Sequence, residues 1–224
     1  MAWPIVMGFV VVLGTAGIVY SRDQRSPEDT PPRAAIGGRA GDHWHSALGF
    51  DICGTFASPL TTPTDPLGIH THDDGVVHTH PFTSRSAGTN ARLGLYFETA
   101  NVKVTSDEIE IPGQTKKNGD ECDGRPAKVQ VKVWPDRNPS TEGTIFVGDP
   151  NDIRLGDNQL ITVAFVPEGN DIQRPPSEAN LDKLTDLGPQ PTTTLAAEGA
   201  DVATTTVPAT PPADQATTTP PPAP

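Results

Sequence analysis

From Arg174 to Pro224 the chain offers almost nothing to bury. The stretch is built mainly from proline, threonine, alanine and acidic residues, with repeated Thr-Thr-Thr and Pro-Pro-Pro triplets. That composition gives an extended, partly polyproline chain without a core. At the other end, Met1 to Tyr20 (MAWPIVMGFVVVLGTAGIVY) carries no charged side chain. A helix of that length rises about 1.5 Å per residue and matches a bilayer core of about 30 Å. Trp3 and Tyr20 stand at its two ends, where amphipathic rings favour the interface. The segment 1–20 therefore reads as an uncleaved transmembrane anchor; a cleaved signal peptide would need a clearer small-x-small site. Residues 21–41 are polar and broken by proline and glycine, which predicts a flexible linker. The folding part is then 42–173, followed by a disordered tail over 174–224.

Charge narrows the partners. The chain holds 16 Lys/Arg against 28 Asp/Glu, a net charge of -12. Between residues 41 and 171 there are 10 basic and 19 acidic residues, a net of -9. Such a surface repels phosphate backbones, which argues against nucleic acid as a partner. It also repels anionic lipid headgroups and attracts cations without selectivity. Arg22, Arg25 and Arg33 follow the apolar segment and no Lys or Arg precedes it. Read literally, the positive-inside rule would leave the domain in the cytoplasm. Interleaved Asp23, Glu28 and Asp29, the cysteines and the tail composition point the other way. The expectation is a single-pass protein of the cell membrane with domain and tail outside the cytoplasm. The tail would reach a cell wall or envelope protein, or be an inert solvated chain.

Within 42–173 the pattern is mostly two-residue periodicity. Ala127 to Trp134 (AKVQVKVW) alternates, with Val129, Val131 and Val133 on one face. Leu160 to Val166 (LITVAFV) is nearly continuous, which predicts a central strand buried on both faces. Leu48 to Cys53 is a short apolar run; Val102 to Thr105, Glu108 to Ile111 and Thr144 to Val147 read as short strands. Thr89 to Ala100 predicts one short helix, capped by Thr-Asn and weakened by Gly94. The fold class is α+β: a small strand-rich domain with a mixed or antiparallel sheet and one short helix. The stretch DIRLGDNQLITVAFVPEG resembles the end of small β-grasp domains, where a Gly-Asp turn precedes a last central strand.

The two cysteines, Cys53 and Cys122, form no Cys-x-x-Cys motif, which disfavours thioredoxin-like chemistry. Outside the cytoplasm the simplest arrangement is one disulfide. It closes a loop of about 70 residues and contributes about 4 kcal/mol through chain entropy. The acidic surroundings of Cys122 (GDECDG) raise a thiol pKa and argue against a reactive thiolate. The rival is a cysteine serving as metal ligand.

All six histidines fall between His43 and His80, as three His-x-His pairs: His43/His45, His70/His72 and His78/His80. In a strand, residues i and i+2 share a face. A two-residue Asp74-Gly75 loop would put the last two pairs on opposite faces of a hairpin. A three-residue Asp73-Asp74-Gly75 loop pairs His70 with His78, sets all four imidazoles on one face and suits glycine in third position. Ile69, Thr71, Val77 and Thr79 then form a packing face. Clustered neutral imidazoles suit Zn, Cu or Ni. The candidate ligands are therefore His70, His72, His78 and His80, joined by His43 and His45, with Asp42, Asp73 and Asp74 as carboxylate support. The plain alternative is that the histidines only hydrogen-bond in a loop-rich domain or sense pH.

Catalysis is less well supported, and no catalytic residue is assigned. A cupin-type His-x-His needs a following Glu, which is missing. His78-Thr-His80-Pro81 resembles the start of the JAMM-type metallopeptidase motif, with Ser86 near the serine, but Thr89 stands at the Asp position. No Gly-x-Ser-x-Gly elbow or phosphate-binding glycine loop is present. The set DHWHSALGFDICG, GIHTHDDGVVHTHPF, AGTNARLGLYFE and NGDECDG resembles a group of membrane-anchored actinobacterial proteins to which no activity is attached. The resemblance covers about residues 42 to 170 and implies location rather than chemistry. Three functions remain: an anchored extracytoplasmic domain that binds a transition metal, a metal-free envelope structural or interaction domain, and a metal-dependent hydrolase.

Overall fold

A computed structural model of the chain describes residues 30–184. The expected anchor over 1–20, the first part of the linker and the tail beyond 184 lie outside the described residues. Among the described residues no helix is long and apolar enough to cross a membrane.

The elements run β1 (Trp44–Ile52), β2 (Thr55–Phe56), β3 (Ile69–His70), β4 (Val76–Thr79), helix α1 (Leu93–Ala100), β5 (Lys103–Val104), β6 (Glu108–Ile111), β7 (Gln114–Lys117), β8 (Glu121–Cys122), β9 (Arg125–Trp134), β10 (Thr144–Ile145) and β11 (Gln159–Pro167). The main sheet has the order β10-β9-β11-β1-β4-β3, with β2 on β1 and β8 on β9. β1 and β11 are parallel; the other neighbours are antiparallel. β5, β6 and β7 make a separate three-stranded sheet. The domain is therefore strand-rich with a mixed sheet and one helix.

β11 is the centre of this architecture. It lies between β9 and β1, and its residues Leu160 to Pro167 are all buried. Its continuous apolar run is what a strand covered on both faces requires. Ile161, Val163 and Phe165 point into the larger core with Leu48, Phe50, Val131, Leu93 and Phe97. Leu160, Ala164 and Val166 point to the opposite face with Ala47, Val76, Trp134, Ile172 and Leu181. Phe165 is fully buried, which contributes about 2–3 kcal/mol.

Several boundaries differ from the sequence reading. The first strand is longer than Leu48 to Cys53: it starts at Trp44, because His45 and Ser46 pair with β4 and extend the ladder. The helix starts at Leu93, after a 3-10 turn at Gly88–Asn90, and its N-cap is Arg92 rather than a Thr-Asn pair. Gly94 is no defect there, since a Cβ would come within 2.8 Å of the Asn151 side chain. β7 is a polar edge strand and β8 a two-residue strand that ends in the buried Cys122, and hydrophobic periodicity reveals neither.

Packing also passes both expected domain limits. Ala34 is fully buried, Ala35 N–H donates to Pro81 O at 2.9 Å, and Arg33 grips Asp42 at 2.7 Å. These contacts seat the last part of the 21–41 segment on the domain. After residue 173, Ser177 Oγ donates to Leu48 O at 3.0 Å and Asn180 Nδ2 to Asp74 O at 2.7 Å. Ile172 and Leu181 supply the apolar contacts that composition alone does not advertise.

Candidate metal centre

The histidines collect at the β1-β4-β3 corner of the main sheet. β4 is the middle strand there, and the register places His45 opposite His78 and His70 opposite His78. The pairing of His70 with His78 is what the three-residue Asp73-Asp74-Gly75 loop demands. Gly75 has φ 73°, and Asp73 also takes a left-handed φ of 65°. Ile69, Thr71, Val77 and Thr79 are buried on the other face.

Three imidazoles thus form a row across three strands, and strand periodicity adds His43, His80 and His72. Ring centroids lie 4.8 Å apart for His45 and His78, 5.2 Å for His70 and His78, and 4.7 Å for His72 and His78. His43 stands 4.7 Å from His45 and 5.1 Å from His80. All six rings are one contiguous cluster. It is graded in depth: His78 and His45 are buried, at 1 % and 6 % exposure, His43, His70 and His80 are half-buried, and His72 is exposed.

Two aspartates serve this corner through the same device, one oxygen on the backbone and the other toward imidazole. Asp65 Oδ1 accepts from Gly68 N–H at 2.6 Å and Ile69 N–H at 2.9 Å. Its Oδ2 lies 3.0 Å from His70 Nδ1 and 3.5 Å from His80 Nε2. Gly68 makes this turn possible: its φ is 77°, and a Cβ would meet His80 O at 2.1 Å. Asp74 Oδ1 accepts from Val76 N–H at 2.9 Å, and its Oδ2 stands 3.7 Å from His78 Nε2.

Electrostatics keep His70 in ligand form. Burial pulls His70 down from 6.5 to about 4, against the Asp65 charge and with help from His80, His78 and His72. His70 is therefore neutral at pH 7, with a lone pair to give. Burial works against the Asp74 carboxylate, yet the nearby His78 imidazole, the Val76 N–H and the Thr71 hydroxyl hold it down to about 2.

Three groups of donors could hold a metal ion: His43, His45 and His78; His70, His72 and His78; and Asp65, His70 and His80, each with ligand atoms within 4.8 Å of one another. The third can be followed atom by atom. Its donor atoms form a triangle with edges of 3.0, 3.2 and 3.5 Å. Donors about 2.0 Å from a tetrahedral zinc stand about 3.3 Å apart. His72 Nε2 lies 2.8 Å from His70 Nε2, on the side of that ring facing away from Asp65. Such a partner on the far nitrogen orients a ligating imidazole.

All six predicted histidines are thus brought together, but the carboxylates are partly other ones. Asp42 is engaged by Arg33, and Asp73 is exposed in the loop. Asp74 does reach His78. Asp65 was missed, although Asp65-Pro66-Leu67-Gly68 directly before the hairpin is a turn signal of the Asx type. The cysteines are not ligands: Cys53 and Cys122 form the expected disulfide. Comparison of the chain with protein-family models, with curated proteins and with solved structures gives no match.

Proposed function

We propose that this chain is a single-pass, membrane-anchored extracytoplasmic domain that binds a transition metal ion, zinc, copper or nickel, through its clustered histidines. The observation that carries the metal reading is the Asp65 Oδ2, His70 Nδ1, His80 Nε2 triangle, already near tetrahedral spacing. The anchor and location rest on the uncharged 1–20 segment, on the disulfide and on the actinobacterial resemblance. A β-grasp-like relationship is supported by β11, a last central strand that follows the Gly156-Asp157 turn.

The test is metal analysis of the purified full-length protein beside a His70→Ala/His78→Ala variant. Near-stoichiometric zinc, copper or nickel in the wild type and its loss in the variant is the expected result. No retained metal, and no thermal shift on adding these ions, overturns the reading. One observation favours the metal-free alternative of an envelope interaction domain. His70 Nδ1 and His80 Nε2 both stand within donating distance of one carboxylate oxygen, an arrangement that two ordinary N–H···O bonds also satisfy.

A further inference from the structure

We propose that this centre holds two metal ions at once, one on Asp65, His70 and His80 and one on His43, His45 and His78. The inference rests on the metal-binding reading and goes beyond it by assigning stoichiometry and partition. The two donor groups share no residue. A tetrahedral first-row ion is served by about four donors, whereas this corner gathers seven, the six imidazoles and Asp65.

The two groups also differ in construction. The Asp65 group lies at the β3 side, where a carboxylate pinned by two backbone N–H groups supplies a negative charge. The His43 group lies on β1 and β4 and is built from imidazoles alone, with Asp74 behind His78. The first set is therefore a harder, mixed oxygen and nitrogen site that suits zinc. The second is an all-nitrogen site that suits copper or nickel as well. Three protein donors leave a further position at each ion for water or a small exogenous ligand. His72, outside both sets, faces His70 Nε2 at 2.8 Å and acts as a positioning residue that keeps His70 Nδ1 turned to the ion.

Native mass spectrometry and elemental analysis of the full-length protein, loaded with zinc and then freed of excess, test this directly. The expected result is two zinc ions per chain. Asp65→Asn/His80→Gln and His43→Gln/His45→Gln should each keep one. A wild type that binds a single zinc, lost in both paired variants, overturns the two-ion proposal and leaves the metal reading standing. A wild type that binds none overturns both. Paired variants that both keep two zinc ions overturn the partition. Circular dichroism separates a lost ion from a lost fold. The wild-type count needs no variant, and copper loading offers a second readout. Copper loaded after zinc should enter the all-imidazole set first, and a copper signal lost in Asp65→Asn/His80→Gln but kept in His43→Gln/His45→Gln overturns the partition.

Discussion

On one face of β1, β4 and β3 stand Ser46, Val77, Thr79 and Ile69; one residue along each strand, the opposite face carries His45, His78 and His70. The two faces use the same backbone and register but different physics. The first belongs to the large core with α1, where Phe97, Leu93 and Phe50 bury apolar area. The second gathers six imidazoles and Asp65, and apolar burial alone does not explain such a patch. The difference teaches that stability and function are separated here by the two-residue period of a strand. A slip of one residue would exchange the faces, and Asp65 and Asp74, each bonded to backbone at its turn, guard against that slip.

The comparison is broken most forcefully from the apolar side. Phe97→Ala removes a ring that is 2 % exposed and should cost about 4 kcal/mol in chemical denaturation, with the number of bound ions unchanged. Metal loss in that variant would show that the two faces are one cooperative unit. The next effect belongs to the histidine face. Zinc at about 100 times its dissociation constant should stabilise the wild type by about 2.7 kcal/mol. Thermal melts should show that gain vanish in His70→Ala/His78→Ala, and an equal gain in the variant would move the site elsewhere.

A finer cut comes from Asp65→Asn, which keeps an acceptor for Gly68 and Ile69 but removes the negative charge facing His70 and His80. Isothermal titration should show zinc affinity at that site reduced by about tenfold or more, while the metal-free melting temperature stays near that of the wild type. The smallest expected effect is at Asp51, on the histidine face of β1 but at its far end. This carboxylate is 4 % exposed, and its Oδ1 has no hydrogen-bond partner. Burial raises its pKa above 3.8, against a bond from the Gly54 N–H. Because the folded value is the higher one, the charged form penalises the fold above that pKa and not well below it. Asp51→Asn should therefore gain on the wild type as pH rises from about 4 to 7. A gap that stays constant across that range would show that the carboxylate is not desolvated.

Much of this site was legible before any coordinates. Three His-x-His pairs, an Asp-Asp-Gly loop and flanking β-branched residues specify a hairpin through local rules alone and narrow its register to two loop lengths, of which Gly75 favours the three-residue one. The Ala127 to Trp134 and Leu160 to Val166 strands were equally plain, since period and burial are written directly into their side chains. Asp65 was less legible, because its role depends on a turn whose carboxylate is aimed by two backbone bonds. So was the start of β1, where His45 and Ser46 look like loop residues until β4 pairs with them.

Local chemistry in the chain thus determined which residues alternate, where the turns fall and that histidines would pair up on strands. Only the tertiary structure decided that β1 lies beside β4 rather than at the far side of β11, and this choice brings His43 and His45 to the other four. It also decided that residues 174–184 return to cover the same face, through Ser177, Asn180 and Leu181. The physical reason is range. Turn and strand preferences act over a few neighbouring residues. Strand order and the docking of a proline-rich segment are settled by apolar area and hydrogen bonds between residues far apart in sequence.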